Sequence, residues 1–466
     1  MLRRHLRRSL AFLALIAGTA AILAFAVPRA YDRVLDWRYG ATLPRPAGPP
    51  PHTPAEARVQ DLDYLAGLPS VDRSFSDEAK AEFGRRIAEL RASAPTLDAG
   101  PFFMGVARAV ASSGNAHTAV DDASWQSRLA RVPLRFAWFP DGLFVVRAAG
   151  EGIPLLGLRV LSIDGIAPEA LAAEAAAYIP GTPERVRSVS PWLLESPEAL
   201  HAMHPEASAE RLELRFVDRA GAAHSASVAA LPAADAPGPV KPGRELSPEP
   251  IPGERAGTWR ALLADGPVPE SLRGSARSVY AARLSDGVLY LHLWKVRDDP
   301  GDPVDVQLER GLGSGSWKRI VLDLRFDAGG DYPRVYEALR RMARGLAPEG
   351  RLAILVDDTT FSAAIISAVL ARHFVGERAV LLGSAPGDRV AFWAEGTPLT
   401  LPNSGIVVGV GTGFHDWAHG CRLLACWWPN FYYDVAGGDL APGIPVRWSF
   451  ADYERGKDTV LARALE

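Results

Sequence analysis

A serine stands where a strand pattern hands over to a helix pattern. The stretch Ile354-Leu-Val-Asp-Asp-Thr-Thr-Phe-Ser-Ala-Ala-Ile-Ile-Ser-Ala-Val369 opens apolar and β-branched. It turns through Asp357-Asp358-Thr359-Thr360 and runs on with helical character to about His373. Ser362 therefore falls at the start of a helix, where backbone N–H groups lack intrahelical partners and the helix dipole is positive. A hydroxyl there loses its proton more readily, and the neighbouring N–H groups can hold an oxyanion. The competing reading is that Ser362, Thr359 or Thr360 only caps the helix. An esterase or lipase is disfavoured, because Thr360 and Ala364 occupy the glycine positions of Gly-x-Ser-x-Gly.

Two other clusters carry reactive side chains. Cys421 and Cys426 are the two cysteines of the chain, and in an oxidising compartment they would close a small loop. His415-x-x-x-His419 has a metal-ligand spacing for one helix face. Its surroundings, Gly411-Thr-Gly-Phe-His-Asp-Trp-Ala-His-Gly-Cys421, are rich in glycine and aromatics and read as a loop. No metal site and no cofactor are expected.

The elements that must position Ser362 follow from periodicity. Residues 319–384 alternate strand, helix, strand, helix, strand. Arg319-Ile-Val-Leu-Asp-Leu-Arg325 and Ala379-Val-Leu-Leu-Gly383 flank the serine's own strand, so a parallel sheet covered by helices is expected. A hairpin precedes it, Val279–Leu284 and Val288–Trp294 around Asp286-Gly287. Upstream, Leu134–Phe139 and Leu143–Arg147 form another hairpin across Asp141-Gly142, then Leu158–Ile163 leads to a helix from Pro168. Residues 57–112 read as helices, with Ser76 as an N-terminal cap. Residues 427–433 read as an aromatic loop.

Composition bounds the class. At 466 residues, with 48% hydrophobic and 23% charged residues, the chain should form two or three domains with sizeable cores. A net charge of −3 without a basic block argues against nucleic acid as a partner. Arg3, Arg4, Arg7 and Arg8 precede an uncharged run from Leu10 to Val27. As a helix it would reach about 27 Å, enough for the hydrocarbon core. It is expected to be a signal peptide or membrane anchor. Residues 28–56, with Pro44, Pro46 and Pro49 to Pro51, would be a stiff tether holding the fold clear of a membrane.

Several segments, in order, resemble the tail-specific, or C-terminal processing, serine peptidases together with the tricorn-protease core. They are Gly114-Asn-Ala-His-Thr118, Leu158–Gly165, Val321-Leu-Asp-Leu-Arg-Phe-Asp-Ala-Gly-Gly330, Thr359–Ala364, Leu401-Pro-Asn-Ser-Gly405 and Asp452-Tyr-x-x-Gly-Lys-Asp458. The resemblance implies an α/β fold with α+β modules attached and a crotonase-like ββα core over 276–466. It also implies a PDZ-like module over 134–231. Residues 232–256 hold many Pro, Gly and Ala residues and read as a long loop or linker, so 232–275 is expected to be a linker and 57–133 a helical segment carrying His117. Ser362 becomes the nucleophile. Ala363 and Gly329 or Gly330 supply the oxyanion hole, which suits turns free of obstructing side chains. The Ser–Lys branch of the family has a lysine just after the strand that follows the serine's helix. This chain reads Leu382-Gly-Ser-Ala-Pro-Gly-Asp-Arg389 there, with no lysine between Ser362 and Lys457. The tricorn branch uses a histidine, and His117 matches it; histidine as a residue type is suited to the general-base role. A tricorn-type serine before it is replaced by Ala116. Asp434 or Asp439 stands nearest the expected acidic partner, and Asn115 is a local alternative. The implied function is an exported serine peptidase acting on peptides from the periplasmic side of the inner membrane. The alternative is a catalytically weakened relative that binds peptides or other ligands.

Overall fold

The computed structural model describes residues 33–40, 42–44, 49–231, 240–254 and 257–466. The apolar run Leu10–Val27 lies outside the described residues. Among those described, no helix is long and apolar enough to cross a membrane.

The fold is mixed α and β with several sheets. Helices Pro54–Leu65, Asp77–Ser93 and Ala99–Val110 open it. The first two starts are chemically marked. Thr53 Oγ1 accepts from the Glu56 N–H with Pro54 at the first turn, and Ser76 Oγ accepts from the Ala79 N–H. The first sheet follows: β1 (Leu134–Phe139), β2 (Gly142–Ala149), β3 (Arg159–Ile163), β4 (Arg211–Val217) and β5 (Ala223–Ala229), antiparallel in that order. Between β3 and β4 lie the helices Pro168–Ala175, Pro183–Leu194 and Pro197–Met203. The first of the last two holds Pro191 in its interior, a residue that ordinarily ends a helix, and the second is only seven residues long.

The stretch expected as a linker is knit into this sheet. β6 (Trp259–Ala261) pairs with β2, and Arg147 Nε donates to Glu254 Oε1 at 2.5 Å. Pro, Gly and Ala lower the propensity for regular structure without preventing burial; Leu246, Ile251 and Leu263 of this stretch are all buried.

The second sheet comprises β7 (Val279–Ser285), β8 (Val288–Leu293), β9 (Trp317–Asp323), β10 (Leu346–Val356) and β11 (Ala379–Gly383), with the short strand Ile444–Pro445 pairing in parallel at the edge beyond β11. β7 and β8 form the expected hairpin, and β8 to β11 run parallel. Its central parallel strands, β8 and the C-terminal halves of β9 and β10, are buried on both faces, as parallel strands require. Leu352, Ile354 and Val356 pack under the helices Pro333–Arg344 and Ala363–Val375. Ala353 and Leu355, one residue out of step, pack on the other face against Phe139, Phe144 and Tyr453. The two sheets thus sandwich a shared apolar layer, and the C-terminal ends of β9, β10 and β11 open at one edge.

The segment after β11 runs through β12 (Ala391–Glu395), β13 (Leu399–Thr400), β14 (Val407–Val408) and β15 (Gly411–Asp416). Leu399, Leu401, Ile406, Val408 and Val410 pack with the N-terminal helices. Residues 428–433, read from sequence as loop, form the short helix Trp428–Tyr433. Cys421 and Cys426 are joined as a disulfide.

Candidate active site

Ser362 sits immediately before the helix Ala363–Val375, with φ +54° and ψ −123°. A non-glycine residue in that region stores strain that only its surroundings can hold. Those surroundings are hydrogen bonds. Thr360 Oγ1 donates to the Leu324 carbonyl at 2.9 Å, the Phe326 N–H donates to Thr359 Oγ1 at 2.7 Å, and the Phe361 N–H donates to the Asp327 carbonyl at 3.0 Å. The Gly387 N–H donates to the Thr360 carbonyl. The loops that leave β9, β10 and β11 are thereby stitched together under the serine. Thr359 and Thr360 do this stitching, and the Ser362 hydroxyl makes no cap hydrogen bond to its helix. The simple capping reading is therefore overturned.

The hydroxyl meets His117 instead. His117 Nε2 lies 3.0 Å from Ser362 Oγ, across 245 residues of sequence. The imidazole is clamped between Phe361 (ring centroids 4.6 Å apart) and Phe392 (4.7 Å), both nearly parallel to it. Its loop is held from below. Thr118 Oγ1 donates to Asp72 Oδ2 at 2.7 Å, Asn115 Nδ2 donates to Thr118 Oγ1 at 2.9 Å, and the Gly411 N–H donates to Asp72 Oδ2 at 2.7 Å. Asn115 also donates to the Trp393 carbonyl. It braces the loop and does not face the imidazole.

The carboxylate facing the imidazole is Asp388. Its Oδ2 is 3.5 Å from His117 Nδ1, and its side chain is 3% exposed. Its other oxygen accepts from the Arg389 N–H. Asp434 and Asp439 do not play this part. Asp434 pairs with Arg422 at 2.6 Å, which holds its carboxyl below the usual range. Asp439 accepts from the Ala441 N–H, and its carbonyl accepts from Arg372. Both belong to a segment that packs on the outer helices, where Tyr433 stacks on Tyr336. Asp388 stands in the stretch Leu382–Arg389, which holds no lysine. The signal in the sequence was its place just past a parallel strand's C-terminal end, where site residues gather in open α/β sheets.

Gly329 and Gly330 lie beside the serine. Gly329 has φ +95°, and a Cβ there would come within 2.7 Å of Ser362 Cβ and 2.8 Å of the Ala363 nitrogen. The space over the Ala363 N–H exists because residue 329 has no side chain. Gly330, at φ +151°, passes so close to the Val296 carbonyl that a Cβ would meet its oxygen at 2.0 Å. The Gly329 N–H, however, is turned inward and donates to Asp327 Oδ1 at 2.8 Å. Of the expected donors, Ala363, as the first residue of its helix, and Gly330 have N–H groups with no partner among the described residues. Asp327 is fully buried, its Oδ2 has no hydrogen-bond partner, and burial pushes its carboxyl well up.

A cleft of about 1040 Å³, open to solvent, runs past His117 and Phe361, with Arg185, Lys241, Arg297 and Asp121 on its walls. His415 and His419 take separate partners. His415 Nε2 is 3.2 Å from Glu395 Oε1, and His419 Nδ1 is 3.2 Å from Asp416 Oδ1. Among the described residues no group of three or more metal-ligating side chains comes together.

The fold is one that solved structures share at low sequence identity. In particular, the chain is similar to mature CPAF, with a TM-score of 0.54 and 14% identity over 86% of this chain and 94% of that one. The structure of mature CPAF complexed with lactacystin aligns with a TM-score of 0.52 and 14% identity, over 86% and 96%. Tricorn protease gives 0.36 at 14% identity, over 88% of this chain and 36% of that one. At such identity the likeness is one of fold. No protein-family model and no curated protein matches the sequence.

Proposed function

We propose that the chain is a serine endopeptidase. The observation that carries this is the 3.0 Å approach of His117 Nε2 to a hydroxyl held at a strained strand-to-helix turn. In the proposed reaction Ser362 Oγ attacks a peptide carbonyl while His117 Nε2 takes its proton. The tetrahedral oxyanion forms over the Ala363 N–H, with Gly330 rather than Gly329 as the second donor. His117 then passes the proton to the leaving amine, and water repeats the cycle on the acyl-enzyme. Asp388 is a positioning residue that favours the Nδ1–H tautomer and the imidazolium.

The finer architecture belongs to the same reading. The second sheet with its helices would be the crotonase-like core, and β1 to β5 the PDZ-like module. β5 ends the first sheet, its far edge pairs with no strand among the described residues, and its side chains are largely exposed, so an extended peptide could add to it as a strand. The arginine-led apolar N-terminus supports export, with the catalytic part on the periplasmic side of the inner membrane. A fluorophosphonate probe should label Ser362, and Ser362→Ala should abolish both labelling and cleavage of unfolded peptides.

A weakened relative that binds peptides without cutting them is the second reading. It is favoured by one observation, the Gly329 N–H engaged by Asp327. An unlabelled Ser362 in a folded chain that still binds peptide would select it.

A further inference from the structure

We propose that the disulfide-closed loop 421–426 and the helix Trp428–Tyr433 form a surface that lies in the interface of a lipid bilayer. The exposed large apolar side chains of the described residues concentrate here. Leu424 is 91% exposed, Tyr432 69% and Leu423 63%, with Phe431 and Trp428 beside them. Water-facing leucines and aromatics gathered in one place mark a contact surface. The disulfide Cys421–Cys426 closes the loop beneath Leu423 and Leu424. Both sulfurs are buried, so the two leucines stand at the tip of a braced finger. Trp428 and Tyr432 pack ring to ring at 5.5 Å along the helix that follows. Tryptophan and tyrosine, with apolar rings and a polar edge, are the residues that settle at the headgroup level of a bilayer.

The occupant follows from where the chain enters the fold. The helical turn at 33–39 is docked directly on this finger. Arg38 donates to the Leu424 carbonyl, Tyr39 Oη donates to the Cys426 carbonyl at 2.6 Å, and the Tyr39 ring packs edge-on against Trp427 at 4.6 Å. The uncharged run Leu10–Val27 therefore joins the fold at this face. The five intervening residues, 28–32, span at most about 18 Å when extended. A bilayer holding that run has to lie within reach of the finger, and the finger presents the side chains a bilayer accepts. The tether reading of residues 28–56 changes accordingly: its first described part lies on the fold and draws the fold toward the membrane. None of this depends on the peptidase reading.

The test is photo-crosslinking of the full chain reconstituted in phosphatidylethanolamine–phosphatidylglycerol vesicles. The photoreactive residue p-benzoylphenylalanine replaces Leu424 in one variant, Tyr432 in a second, and Val306 in a control. Val306 is 42% exposed on the helix Val304–Leu312. The expected result is a lipid adduct at 424 and 432 and its loss at 306. All three are surface positions, and thermal melting of each variant checks folding. If 424 and 432 crosslink to a second copy of the chain, or to residues 10–27 of the same chain, the proposal is overturned. It is equally overturned if folded variants give no lipid adduct.

Discussion

An imidazole can turn either nitrogen toward an alcohol, and what settles the choice is the group behind it. Here that group is Asp388, 3.5 Å from Nδ1. Asp388→Asn offers Nδ1 an amide, which no longer favours the productive tautomer. In the proposed reaction kcat should fall about 1,000- to 10,000-fold with KM little changed, measured on an unfolded peptide substrate. Gly329→Ala probes the neighbouring cradle. The added Cβ meets Ser362 Cβ and the Ala363 nitrogen, so kcat should drop about 100- to 1,000-fold while the variant still folds. At this scale the sequence was partly legible. Ser362 was visible because a strand pattern breaks into a helix pattern at one residue. His117 was visible by resemblance. Asp388 was not, because its partner is set by which parallel strands end together, and residue spacing does not carry that. The turn of the Gly329 N–H toward Asp327 was equally hidden, being a matter of one peptide plane.

Among elements, the His117 loop depends on a carboxylate that never touches the imidazole. Asp72 is 3% exposed, accepts from the Ser74 N–H and hydroxyl and from Thr118 on one side, and from the Gly411 N–H at the start of β15 on the other. Asp72→Ala would strand several buried donors at once and should cost about 3 kcal/mol in urea unfolding. The parallel strands and both hairpins could be read from the sequence because their apolar runs and Asp-Gly turns are local signals. The helices Pro183–Leu194 and Pro197–Met203 could not, since Pro191 inside the first reads as a helix stop and their burial is supplied by neighbours such as Trp125 and Leu134 in the same core. The expected linker failed for the same reason. Arg147 in β2 supplies the partner that orders Glu254.

At the scale of the molecule, charge is buried where the sheets meet. Arg325 is 2% exposed and is held by Asp323 at 2.5 Å and by Asp458 of the C-terminal segment at 2.7 Å. Asp458→Ala should destabilise the fold by about 3–5 kcal/mol, because it leaves half of a buried cation's pairing unmet. Asp458→Asn, which keeps the shape, should lose less; both are measured by urea unfolding. Nearby, Glu245 has an oxygen shut off from solvent and unpartnered, and burial pushes its carboxyl up to about 7. A carboxyl with a raised folded-state pKa binds its proton more tightly folded than unfolded. Its contribution to stability is therefore full below its ordinary value and is lost as pH rises toward 7. Glu245→Gln should raise the urea midpoint at pH 8, leave it nearly unchanged at pH 4.5, and flatten the dependence between.

The proposed catalytic pair is also split between two cores. His117 sits at the end of the N-terminal helices, whose core also takes in residues 399–410, and Ser362 heads a helix buried in the core of the second sheet. A chain emerging from the ribosome or threading a pore holds at most one member of the pair in working order. If the pair works as proposed, its chemistry waits until assembly is complete, and a half-made copy spares the proteins around it.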